Sequence, residues 1–136
     1  MTIEEVKSQA KTITYDELAR TPDKYYREIV VFGGKVVQAI ESGQNLTLRI
    51  DVAPHVDISD PNWKVGGDIV YVDYRKNQPN EARILEDDKV KFWGRYAGIL
   101  SYKAVLGQTI QVPRIVARLV EDQGHYVRPA PRIGGR

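Results

Sequence analysis

The chain has 136 residues, 42% of them hydrophobic, with no cysteine and a formal net charge of +2. That length makes one domain, or one domain with tails, and can bury a core without covalent staples; without cysteine there is no disulfide, no zinc–thiolate site and no thiol nucleophile. Three of the 20 basic residues, Arg128, Arg132 and Arg136, lie beyond Asp122, so the body is near neutral and any strongly basic surface must be local.

The chain divides into a polar lead-in at residues 1–12, a folded body at 13–121 and a Pro/Gly/Arg-rich tail at 122–136. The lead-in, loose or helical, has no apolar segment that would make a signal peptide or anchor. No apolar run approaches the roughly 20 residues of a spanning helix. Together with the lack of cysteine, which fits a reducing compartment, this predicts a soluble cytoplasmic protein. TYDELARTPDKY reads as a short helix, with Thr14 and Glu17 spaced as a capping box and Pro22 ending it.

Five strand-like runs follow. Residues 29–40 form a long first run with Gly33 and Gly34 in its middle, where a bulge or bend is expected. Residues 45–52 alternate cleanly, Leu46, Leu48, Ile50 and Val52 inward and Asn45, Thr47, Arg49 and Asp51 outward. Residues 68–74 are short and β-branched, and in 89–99 Val90, Phe92 and Tyr96 face opposite to Lys91, Trp93 and Arg95. Residues 109–120 close the set, and Pro113 marks an edge or bulge there that a second copy of the chain could pair with. ESGQ is a hairpin turn. Residues 53–67, which hold Trp63, and residues 98–107 read as long loops. The tail reads as mobile. Five short strands, a kinked first strand and no long helix predict an all-β, five-stranded OB-fold barrel with a short N-terminal helix.

The series YDELARTPDKY, VVFGGKVVQAIE, DIVYVDY, RILEDDKVKFWGRYAG and SYKAVLGQTIQVPRI resembles an OB-fold domain of Gram-positive lipoproteins, phage-associated small proteins and the clostridial toxin-operon negative-regulator family. The resemblance spans residues 12–120 and implies the fold more than any activity. Many relatives carry an upstream lipid anchor or transmembrane helix, and none is expected from these residues. Their counterpart of the 53–67 loop is shorter and has no equivalent of Trp63.

Nothing in the sequence points to catalysis, a cofactor or a metal. The two histidines, His55 and His125, show no ligand spacing, no GK[ST] follows Gly33-Gly34, and no serine sits in a GxSxG elbow. The acidic run Glu86, Asp87, Asp88 reads as a solvated turn. The outward residues suggest a binding face instead. OB folds bind ligands around strands two and three, and single-strand binders combine cations for phosphates with aromatic faces for bases. The candidates are Lys35, Arg49, Tyr71, Lys91, Trp93 and Arg95, with Tyr102 and Lys103 as a side clamp. Trp93 is the centre of this expectation, as an exposed indole between two cations; the opposing expectation packs it under the Thr14 helix or the tail. Trp63 is expected to plug a barrel end, Tyr25 and Tyr26 to seal its base, and Arg49 can pair with Asp51 on its own face. The function expected is a non-catalytic module binding single-stranded nucleic acid. The alternative is a protein-interaction module of phage or mobile-element origin, with an oligosaccharide binder behind it.

Overall fold

Alternating apolar residues become the inner wall of a barrel. In the computed structural model, which describes residues 1–77 and 81–125, the strands are β1 (Ile29–Ser42), β2 (Asn45–Val52), β3 (Asp68–Arg75), β4 (Asp88–Lys103) and β5 (Thr109–His125). They close in the order β1-β2-β3-β5-β4, with β4 returning to β1. Only β3 and β5 run parallel, from the Tyr71/Arg114 pair to the Tyr74/Ala117 pair. Val30, Phe32, Leu48, Ile50, Val70, Val72, Phe92, Tyr96 and Ile115 fill one core inside the wall. Burial of that apolar surface is the main stabilising term.

Glycine lets the wall close tightly. A Cβ on Gly34 would lie 2.5 Å from Ile50 Cγ2, and one on Gly94 would lie 2.4 Å from the Val116 carbonyl oxygen. Gly33 and Gly34 were expected to mark a bulge, but the β1–β2 register runs unbroken at Gly34 and shifts only between Val36 and Gln38. The glycines instead admit a neighbour: a Cβ on Gly33 would meet Ile58 of the 53–67 loop at 2.6 Å. Pro113 is buried opposite Ile99, beside a register shift in β4 and one residue before the parallel pairing with β3 begins.

The strands run longer than the sequence suggests. Residues 98–107 are not a long loop: Ile99/Pro113 through Lys103/Thr109 pair as a two-stranded arm, and only 104–108 reverse the chain. At its tip Val105 and Leu106 are exposed. β5 continues to His125, past the expected boundary at 121, and tail residues 126–136 lie outside the described residues.

Two capped helices precede the barrel. Helix α1 (Ile3–Gln9) begins with a Thr2–Glu5 capping box and α2 (Tyr15–Arg20) with the expected Thr14–Glu17 box. A 3-10 turn, Pro22–Tyr25, then leads into β1. Leu18 of α2 packs into the core, and its carbonyl accepts from the Tyr96 hydroxyl at 3.4 Å. Ile13 and Tyr15 sit with Ala53 and Asp68 at one end of β2, while Ile84 sits with Ala39 and Leu46 at the other. Among the described residues no helix is long and apolar enough to cross a membrane.

Two aromatic expectations change. Trp63 does not plug the barrel; it forms a separate cluster with Ala53, Ile58 and Val65, and its indole N–H donates to the His55 carbonyl at 2.9 Å. It staples its own loop. Tyr25 packs against the core and donates to Glu17 Oε2 at 2.8 Å, but Tyr26 is 52% exposed and seals nothing. In the acidic run, Asp88 is buried and accepts from the Leu85 N–H at 2.9 Å, so this turn is built into the fold rather than solvated throughout.

Candidate nucleic-acid interface

The exposed indole expected at Trp93 is covered. The side chain does leave β4 on the outer face, but it is only 6% exposed and packs with Val6, Ile29 and Val31. Helix α1 lies over it, held by Lys11, whose N–H donates to Ile29 O at 2.8 Å and whose carbonyl accepts from Val31 N at 3.2 Å. The Lys7 and Lys91 ammoniums stand 4.9 and 5.2 Å from the ring centroid, so two cation–π contacts finish the lid. The outer face of β1 and β4 is therefore a second, smaller core. A docking surface centred on Trp93 does not exist.

The other expected residues do not form one site. Lys91 is half-buried against Trp93, and Lys35 is half-buried 3.9 Å from Asp87. Arg95 is exposed and donates to the Arg27 carbonyl at 2.6 Å. Tyr102 and Lys103 stand on the β4–β5 arm. Arg49 and Tyr71 remain together on the outer face of the barrel, where the register makes them direct cross-strand partners.

Around that pair the strands build a continuous row. Gln38 of β1 faces Arg49 of β2, Arg49 faces Tyr71 of β3, and Tyr71 faces Arg114 of β5. Tyr71 thus lies between two arginines in the row. Arg114 is held by Asp73, with Nε at 2.7 Å and Nη2 at 2.5 Å from Oδ2. Arg49 takes no such partner in Asp51, which accepts from the Gly67 N–H at 2.8 Å. Among the described residues Arg49 Nε is buried with no hydrogen-bond partner, and an unmet buried donor costs about 1–3 kcal/mol.

The row opens on one side into a groove of about 660 Å³ between β2, β3 and β5, lined by Asn45, Thr47, Arg75, Asn77, Arg114 and Arg118 among others. Its far end is fixed by internal pairs. Lys76 is bound to Glu41, whose carboxyl is held below the usual range chiefly by that hydrogen bond. The Tyr74 hydroxyl donates to Glu81 at 2.6 Å, and burial first, then this carboxylate, pushes the phenol well above its usual pKa. The groove therefore keeps Arg75 and Arg118 as its outward cations, with Arg114 beside them but paired with Asp73, which also lines it. The sequence reading missed Arg114 and Arg118. Their signal was the period of two in PRIVAR, which sets Arg114, Val116 and Arg118 on one face.

The strand order and the single parallel β3–β5 contact decide the architecture. The barrel is an OB fold. It superposes on a small single-stranded DNA-binding protein from Streptomyces coelicolor with a TM-score of 0.53 at 16% identity, covering 71% of this chain and 94% of that one. It also superposes on a protein from Leishmania major Friedlin provisionally assigned as an aspartyl-tRNA synthetase, with a TM-score of 0.57 at 12% identity. That match covers 90% of this chain but 22% of the other, so this chain spans about a fifth of that protein's length. At such identities the likeness is one of fold. No protein-family model and no curated protein matches the sequence, so the resemblance to lipoprotein, phage and toxin-operon families rests on the quoted motifs alone.

Proposed function

We propose that this OB fold is a non-catalytic module that binds single-stranded nucleic acid on the outer face of β2, β3 and β5. One observation carries the reading: Tyr71 stands in register between Arg49 and Arg114, and the buried Nε of Arg49 has no partner among the described residues. The ring offers a π face to a base, while the guanidiniums offer donors to phosphate or base oxygens. A ligand that draws the Arg49 side chain outward would give its Nε a partner and remove the cost of leaving that donor unmet. The likeness in fold to a protein that binds single-stranded DNA supports the same reading. Tyr102 and Lys103, on the arm beside β5, are the flanking clamp.

The test is anisotropy of a labelled oligo-dT at two salt concentrations. Binding should weaken steeply with salt, and Tyr71→Leu should weaken it about 5- to 150-fold, since a stacked base is worth about 1–3 kcal/mol. Unchanged affinity in Tyr71→Leu and Arg49→Gln sinks the proposal. The exposed Val105 and Leu106 at the arm tip favour a second reading, a protein partner gripped by that tip. Such an interface would respond little to salt and would be lost in Leu106→Ser.

A further inference from the structure

We infer that the bound strand does not end on the β2–β3–β5 face but crosses β5 at Val116 into a second groove, where Arg27, Arg95 and Arg118 hold its phosphates. The inference rests on the proposed nucleic-acid reading and extends its site. The second groove, of about 530 Å³, shares two lining residues with the first, Val116 and Arg118. Val116 is 40% exposed and pairs with Asp73 on the β3 side and with Arg95 on the β4 side. A ligand crossing there spans two strand spacings, about 10 Å.

The backbone brings the three arginines together. Arg27 follows the 3-10 turn in a left-handed conformation (φ 71°), fixed by its N–H to Tyr96 O at 2.9 Å. Arg95 then reaches its carbonyl. Arg118 is the extra residue where the β4–β5 register slips between the Trp93/Leu119 and Gly94/Ala117 pairs; it donates to Met1 O at 3.3 Å. Among the described residues none of these three forms an ion pair, whereas Arg20, Arg83 and Arg114 each lie within 4.0 Å of a carboxylate. The groove lining contains no Asp or Glu. Guanidiniums lining one groove repel one another, and no carboxylate among the described residues lines it; a polyanion supplies the counter-charge. Tyr26, exposed with Arg27 over its ring at 5.4 Å, offers a stacking face at the same spot.

The test uses the full chain with labelled oligo-dT of about 5 and about 15 nucleotides, bracketing what one OB fold covers. The double variant Arg27→Gln/Arg95→Gln, which touches no residue of the first groove, should bind the 5-mer within twofold of wild type. It should lose about tenfold on the 15-mer, with a salt slope shallower by about 1.4, the share of two phosphates on a single strand. Arg95→Lys, which keeps the charge, should restore most of the slope that Arg95→Gln alone removes. A wild-type 15-mer slope in folded Arg95→Gln and in the double variant, alongside lost binding in Tyr71→Leu, overturns this inference and leaves the β2–β3–β5 face standing. A wild-type chain that binds neither oligonucleotide overturns both.

Discussion

The Lys7 ammonium lies 4.9 Å from the centroid of the Trp93 indole and 2.9 Å from Glu121 Oε2, so one lysine ties α1 to both β4 and β5. Below it Val6 is fully buried against Trp93, Ile29 and Val31. A large apolar ring on an outer strand face is thereby structural. Trp93→Ala should cost about 3–5 kcal/mol, read as a lowered urea midpoint, while Trp93→Phe should leave oligonucleotide affinity within twofold. Val6→Ala should cost about 1.5 kcal/mol and Thr2→Ala about 1 kcal/mol. On a Trp63→Phe background, acrylamide quenching of Trp93 should rise in Thr2→Ala as the lid loosens.

Gly94 stands where β4 crosses β5 at the register slip. A methyl group there would meet the Val116 carbonyl oxygen at 2.4 Å and Ala117 Cα at 2.7 Å, both backbone. Side-chain rotation cannot relieve either contact. Gly94→Ala should therefore cost at least about 3 kcal/mol, the upper end of ordinary overpacking. Chemical denaturation measures it, and a loss below about 1 kcal/mol would mean the two strands separate more easily than this geometry allows.

Parity along a strand was legible, and what lies above each face was not. Leu46, Leu48, Ile50 and Val52 alternate without interruption, so β2 and its outward Arg49 follow from the sequence. Trp93 was assigned to the correct face by the same rule. Parity does not say whether another segment covers that face. The information was present in two places: Ile29 and Val31 share the outer face with Trp93, and TIEE at Thr2–Glu5 repeats the capping signature recognised at Thr14–Glu17. An apolar outer patch next to a capped amphipathic segment with one buried valine is a lid and its seat. The arm at Ile99/Pro113 was hidden because Gly98 and the adjacent register shift break the alternation. Arg114 was passed over because Pro113 drew the reading toward an edge, although closure of the expected barrel sets β5 beside β3.

The Asp16, Asp51 and Asp68 carboxylates gather where β2 ends and β3 begins, and burial first, then Asp51 and Asp16, raise the Asp68 pKa. A raised carboxyl pKa means that the folded chain binds the proton more tightly than the unfolded one. Its stabilisation is complete below the unfolded value, about 3.9, and is lost as pH rises through the folded value. Asp68→Asn should thus stabilise at pH 7, by no more than about 0.5 kcal/mol for so exposed a site, and give no gain near pH 3. Urea midpoints at the two pH values test the sign, and a gain confined to acid pH would refute it.

Asp73 restrains Arg114 beside Tyr71. Their contact at 2.5 Å joins two partly exposed side chains, so its share in stability is small, about 0–1 kcal/mol. Its effect on the proposed interface is larger, because a phosphate at Arg114 must displace or share with the carboxylate and suffers its repulsion across the groove. Asp73→Asn keeps the shape, releases the guanidinium and removes the negative charge. Oligo-dT affinity at low salt should rise several-fold, and the salt slope should steepen by about 0.7, one further phosphate contact on a single strand. Arg114→Gln should move both quantities the other way, and the double variant should resemble Arg114→Gln, since masking matters only while the arginine is present. If Asp73→Asn weakens binding instead, the carboxylate serves to aim Arg114 rather than to mask it, and that groove works through a fixed guanidinium.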